Sequence, residues 1–336
     1  MTRPHAALAM SARAAEAVLS PEIRKQLAEI TDLDEHVLTD FRTDEARRVL
    51  ATAEILVTGW GCPPLDEETL ALAPRLRAVA HTAGTIRHHI TEAAWERGLA
   101  VSSAASANAL PVAEYTVAMI LLAGKRILES ARAYTARRGR EDWLHPDPTL
   151  GNYRRTVGIL SASLIGRRVI DLLRPYDLEV LLHDPYVTED EARALGVRNI
   201  PLPDLFAACD VVSVHTPLLP ATRGLVSRPL LAALRDGATL INTARGAVVD
   251  QAALTGELRA GRIRAVLDVT EPDDGDLPPD DPLWDCENAL LTPHIAGSQG
   301  NEFGRLADLA VSEVRRWAAD EGFAHPVRRE RLEFLA

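Results

Sequence analysis

Cysteine is scarce in this 336-residue chain, where Cys62, Cys209 and Cys286 are odd in number and far apart. Neither a disulfide framework nor a zinc-ligand pattern can be read from them, and a reducing cytosol suits them. Positive charge is also short: 37 lysines and arginines stand against 48 acidic residues, for a formal net charge of -11. That leaves no basic face for phosphate contacts, so DNA and RNA are not expected partners. The start, MTRPHAALAMSARAAEAVL, is interrupted by Arg13 and Glu16 and makes a poor signal peptide. No later stretch is expected to supply the roughly 20 uninterrupted apolar residues of a membrane helix. The expectation is a cytoplasmic protein with no membrane contact.

What is present is an alternation of short apolar runs and amphipathic segments. A chain of this length with 47% hydrophobic residues is expected to split into two lobes around a cleft rather than grow one core. HAALAM, EILVTG, LRAVAHT and LAVSS read as strands of a first α/β lobe, with helix-like SPEIRKQLAEI, TDEARRVL and DEETLALA between them. NALPVAEYTVAMILLAGKRILESARAYTARR then reads as one long helix with Asn108 as its cap and Pro111 in its first turn. The second lobe repeats the alternation through TVGIL, LEVLLHD, DVVSVHT, ATLINTA, IRAVLDV and ALLTPHI. Strands apolar along their whole length predict a parallel sheet covered on both faces, a doubly wound fold. The tail helix NEFGRLADLAVSEVRRWAADEG is expected to return to the first lobe.

After VGIL comes Ser161-Ala162-Ser163-Leu164-Ile165-Gly166 and then a helix, where a dinucleotide-binding fold places its glycine-rich turn. Only the third glycine of G-x-G-x-x-G is kept. Serine has a hydroxyl to offer a phosphate, but its Cβ narrows the approach, and an ordinary strand-to-helix turn is the alternative. Asp184 ends the next strand at about the spacing expected of a ribose-binding carboxylate. Such a carboxylate repels a 2′-phosphate and favours NAD over NADP; a turn or cap aspartate before Pro185 is the other reading.

INTARGAVVD, AVLDVTEPDD and LTPHIAGS follow in order, and Arg245, Asp268 and His294 each sit just past a strand's carboxyl end, the ligand edge of an open parallel sheet. A 2-oxo acid needs a cation for its carboxylate and an acid for its carbonyl oxygen. Arg245 offers a bidentate guanidinium and His294 an imidazole titrating near neutrality. Taken singly they read as a surface charge and a loop histidine; together they read as a site.

On VHTPLLPATRGLV, INTARGAVVDQAAL, LDV and LTPHIAG, with weaker echoes in AHTAG and ANALPVAEYTVAMILL, the chain resembles the D-isomer-specific 2-hydroxyacid dehydrogenases, which include phosphoglycerate and formate dehydrogenases. The resemblance implies a Rossmann-type NAD-binding domain over 111-297 and a flavodoxin-like substrate domain built from 1-110 and 298-336. It implies that Arg245 orients the substrate while His294 donates the proton as hydride arrives. Asp273 would pair with His294 and raise its pKa, with Glu271 as the alternative. Asp268 would hold the nicotinamide carboxamide, while His215, Thr216, Pro217, Thr222, Thr243 and Ala244 line the cofactor path beside Ser161, Ser163, Leu164, Ile165, Gly166 and Asp184. Ala83, Gly84 and Thr85 would present backbone amides to the substrate carboxylate, with Arg87 nearby either meeting a further anionic group or facing solvent. His81, His88 and His89 lack the acid or cysteine that would complete a metal site, and read as substrate-loop or helix-start residues. A homodimer built through the long helix is a further implication. The competing readings are a non-catalytic NAD-sensing or corepressor-like protein and a binder of an organic acid alone.

Overall fold

The computed structural model describes residues 3-140, 147, 149-272 and 277-334. It divides into two compact units, one of residues 1-108 with 298-335 and one of 109-297.

The first unit holds a five-stranded sheet of β1 (His5–Ala9), β2 (Asp32–Leu38), β3 (Ile55–Thr58), β4 (Ala78–His81) and β5 (Ala100–Ser103), in the order β2-β1-β3-β4-β5. Every pairing is parallel, and β3 and β4 are buried at all positions, as two-sided coverage demands. β2 departs from the sequence reading. Its sequence DLDEHVL buries only Leu38, because an edge strand needs no apolar run. The tail helix Phe303–Ala318 packs against helices Ala12–Val18 and Pro21–Ile30 and against β4, burying Leu306, Ala307, Ala310, Val311 and Val314. It thus completes one face of this sheet.

The second unit holds β6 (Thr156–Leu160), β7 (Glu179–His183), β8 (Arg198–Asn199), β9 (Val211–Val214), β10 (Thr239–Asn242), β11 (Arg264–Leu267) and β12 (Ala289–Leu291). They pair in parallel in the order β12-β11-β10-β9-β6-β7-β8. The strand order reverses between β6 and β9, and such a switch point opens a crevice at the carboxyl edge of the sheet. Leu205, Phe206 and Leu240 lie in the core on one face of this sheet, Ile159, Val169 and Ile241 in that on the other.

The long helix departs from expectation at both ends. It runs from Ala105 to Gly124, so Asn108 lies inside it and its Oδ1 accepts the Ser298 amide at 2.9 Å instead of capping. Arg126 then adopts φ 48°, and a separate helix spans Ile127–Arg137. The first of these helices is, contrary to the sequence reading, long and apolar enough to cross a membrane by length and composition, although half of it is buried inside the protein.

Candidate active site

At the switch point each position of the S-x-S-x-x-G turn solves a different problem. Ser161 takes φ 80°, the left-handed region where glycine is at ease. Its amide donates to His183 O at 2.9 Å and its Oγ accepts the Thr216 hydroxyl at 3.2 Å. Ser163 caps helix Leu164–Leu173 by accepting the Gly166 amide at 3.3 Å. A Cβ on Gly166 would lie 2.0 Å from Ser161 O, so the helix can enter this close only without a side chain there. The Leu164 and Ile165 amides meet no acceptor among the described residues, which leaves the first turn of the helix able to receive an anion.

Asp184 follows β7 and is 9% exposed. Its carboxylate accepts the amides of Ala162 and Tyr186, both at 2.8 Å, tying the end of β7 to the turn after β6. Asn199 clamps it, accepting the Asp184 amide at 3.0 Å and donating to the Asp184 carbonyl at 2.8 Å. Asn199 carries no sequence signal, since it stands on the two-residue edge strand β8.

The other residues expected along a cofactor path follow β9 and β10 at the same edge and make different contacts. The His215 ring is 2% exposed, bonded to Ser213 Oγ at 2.9 Å, with Nδ1 left without a partner. Burial pushes its imidazole down to about 3. Thr222 holds its own turn, accepting the Leu219 amide at 2.8 Å and donating to Pro217 O at 2.6 Å. Thr243 Oγ1 lies 3.1 Å from Thr116 Oγ1 on the long helix.

Arg245 and His294 stand on the loops after β10 and β12. Asn242, at the end of β10, accepts the Ala244 amide at 3.0 Å and donates to Arg245 O at 2.9 Å, which fixes the backbone carrying the guanidinium. Gly246 follows because a Cβ there would come within 2.1 Å of the Thr270 backbone. His294 is exposed and adopts φ 54°. The strain of that conformation is met by Asp268 at the end of β11. Asp268 is 2% exposed; Oδ1 accepts the Thr292 hydroxyl at 2.6 Å and the Ile295 amide at 2.8 Å, and Oδ2 the Ala296 amide at 2.8 Å. Its carbonyl accepts the His294 amide at 3.0 Å. So the carboxylate expected to hold a carboxamide already organises the histidine loop. Burial raises the pKa of Tyr115, whose hydroxyl lies 2.8 Å from Thr292 Oγ1. Asp273 lies outside the described residues. Glu271 Oε1 accepts from Arg223 at 3.2 Å, and the Glu271 backbone exchanges two hydrogen bonds with the Gln251 side chain.

In the first unit Ala83, Gly84 and Thr85 follow β4 at the carboxyl edge of that sheet. His81 and His89 are buried, while Arg87 and His88 are exposed. Arg87 donates to the Leu332 carbonyl.

A dinucleotide fits this second unit: the glycine that spares the Ser161 carbonyl a clash, the open amides at the helix start and the carboxylate after β7 stand together at its switch point. A model of the D-isomer specific 2-hydroxyacid dehydrogenase NAD binding domain matches residues 117-296. The glyoxylate reductase of Korarchaeum cryptofilum is 34% identical over 254 residues, 75% of this chain and 76% of that protein. The D-3-phosphoglycerate dehydrogenase of Mycobacterium leprae is 32% identical over 260 residues, 76% of this chain but 48% of the relative, so the chain spans about half the length of that protein. A solved structure from Thermus thermophilus superposes with a TM-score of 0.72 at 30% identity, covering 96% of this chain and 100% of that one. A phosphoglycerate oxidoreductase from Rhizobium etli shares the fold with a TM-score of 0.81 at 22% identity, over 97% and 99% of the two chains. With sheet order, motif segments and family model in agreement, the chain belongs to the D-isomer specific 2-hydroxyacid dehydrogenase family, oxidoreductases with a Rossmann domain for a nicotinamide dinucleotide.

Proposed function

We propose that this protein interconverts a small 2-oxo acid and its D-2-hydroxy acid with NAD(H), using Arg245 to hold the substrate carboxylate and His294 to move the proton. The observation that carries this reading is Asp268, whose carboxylate and carbonyl shape the loop that presents His294, with only β11 between β12 and the β10 strand that leads to Arg245. The bound nicotinamide supplies or accepts the hydride. Arg245 pairs its fork with the carboxylate and polarises the neighbouring carbonyl. His294 donates to the carbonyl oxygen in reduction and takes the proton back in oxidation. Ala83, Gly84 and Thr85 offer backbone amides to the substrate. Asp184 accepts the ribose hydroxyls and disfavours a 2′-phosphate, which makes NADH the preferred form.

The protein works as a homodimer in the cytosol in this reading. Helix Ile127–Arg137 buries no residue within the chain and exposes Ile127 and Tyr134, which supports a partner there. The three cysteines are free and buried, as a reducing compartment allows. Turnover of NADH with glyoxylate, hydroxypyruvate and larger 2-oxo acids tests the activity. His294→Gln is expected to abolish turnover while NADH still binds; an unchanged rate removes the proposed proton donor.

A further inference from the structure

The loop Ala83–Thr85 is tied at its start to the ends of two strands. The amide and hydroxyl of Thr82 both donate to Thr58 O, at 2.8 and 2.9 Å. The Ala104 amide is shared between His81 O and Ala83 O, both at 3.0 Å. The amides of Ala83, Gly84 and Thr85 meet no acceptor among the described residues. A Cβ on Gly84 would meet only Asn108 Nδ2 at 3.9 Å. These three amides are thus left for something outside the fold.

The far end of the loop rests on a buried polar chain. Thr58 Oγ1 lies 2.9 Å from His81 Nδ1 and 3.3 Å from His89 Nε2. The two rings sit 4.5 Å apart, and His81 is 2% and His89 3% exposed. Burial lowers the pKa of both, that of His89 to about 4, so each is a neutral imidazole with one N–H. Thr58 thus bonds both rings at once, joining His81 at the end of β4, where the loop begins, to His89 at the loop's far end. His89 itself is held by the bond from its amide to Ile86 O at 3.2 Å and by its carbonyl, which accepts the Leu65 amide at 2.8 Å.

We propose that His89, Thr58 and His81 are positioning residues that tie the two ends of this loop together and so aim the Ala83–Thr85 amides at the 2-oxo acid carboxylate without touching it. This rests on the dehydrogenase reading of that loop. Three buried polar side chains bonded to one another hold two points of the backbone more specifically than apolar packing, because each bond needs its partner at one distance and angle.

The test compares Thr58→Val, which keeps the shape and removes the hydroxyl, with Thr58→Ser, which restores it. For Thr58→Val the KM for the 2-oxo acid is expected to rise ~10-fold, the effect of losing about one hydrogen bond's aim, with kcat within about twofold of the parent and NADH affinity unchanged. Thr58→Ser is expected to bring KM back to within about twofold. A lower melting temperature with an unaltered KM means the cluster is structural only, and overturns the proposal. If Thr58→Val does not fold, His89→Gln takes its place: a raised KM supports the positioning role and an unaltered KM overturns it. Should the parent bind NADH and reduce no 2-oxo acid, the dehydrogenase reading fails by itself. Hydrogen exchange then decides: the Ala83–Thr85 amides must exchange faster in Thr58→Val than in Thr58→Ser, and equal rates overturn the positioning role.

Discussion

The Thr216 hydroxyl donates to Ser161 Oγ across 3.2 Å, joining the loops after β6 and β9 where the strand order of the second sheet reverses. Ser161 holds that place at φ 80°, a conformation that costs a non-glycine residue ~1 kcal/mol. Ser161→Gly removes the strain and the Cβ that, on the proposed function, narrows the cofactor's approach, and Thr216 keeps Leu160 O, at 3.5 Å, as an acceptor. The variant is expected to melt ~2 °C higher and to bind NADH more tightly in a fluorescence titration. Weaker NADH binding would mean that the serine hydroxyl contributes to the site.

Asp184 bonds two amides of its own fold, and the proposed function gives it the ribose hydroxyls of NADH. Asp184→Ala is expected to weaken NADH by ~10-fold or more while NADPH changes less, since the repulsion of a 2′-phosphate goes with the charge. Titrating both cofactors gives the ratio, and a ratio equal to that of the parent would contradict the selection role.

Asp268→Asn replaces an acceptor of three hydrogen bonds by a group with one acceptor oxygen and an amino group facing donors. The His294 loop should shift, and a misplacement of about 1 Å at a reacting group costs on the order of 10²-fold in rate. The expected result is a kcat loss of that order with a stability loss of ~2 kcal/mol. A variant that is less stable but equally fast would separate Asp268 from the aim of His294.

His215 carries a pH signature. Its imidazole titrates at about 3 in the fold because of burial, against 6.5 as the ordinary value. The unfolded chain therefore binds the proton first. Stability from this group is level above pH 6.5, falls as pH drops from 6.5 towards 3, and levels again below. Between pH 6.5 and about 5 the loss is roughly 2 kcal/mol. Urea midpoints across that window should fall more steeply for the parent than for His215→Gln, and parallel curves would show that the ring does not stay neutral.

The sheet strands of both units are legible wherever an apolar run meets two-sided burial, as in Ile55–Thr58 or Val211–Val214, both buried throughout. Arg245 and His294 lie three residues past the ends of β10 and β12, at the carboxyl edge where the sequence reading puts them. β2 and β8 are not legible, since an edge strand exposes one side and needs no apolar pattern. The break at Arg126 is hidden because one left-handed residue leaves no mark on helical periodicity. What the sequence by itself determined, then, is which apolar segments become the buried strands and which chemical groups follow them: apolar pattern is local, and so is the turn that follows. The tertiary structure alone decided what those groups touch. Asp268 meets the Ala296 amide 28 residues away and Thr58 meets His89 31 residues away. Those pairings exist only once parallel strands have set their register, because a hydrogen bond forms within about 3 Å and along a narrow range of angles, a condition no spacing along the chain encodes.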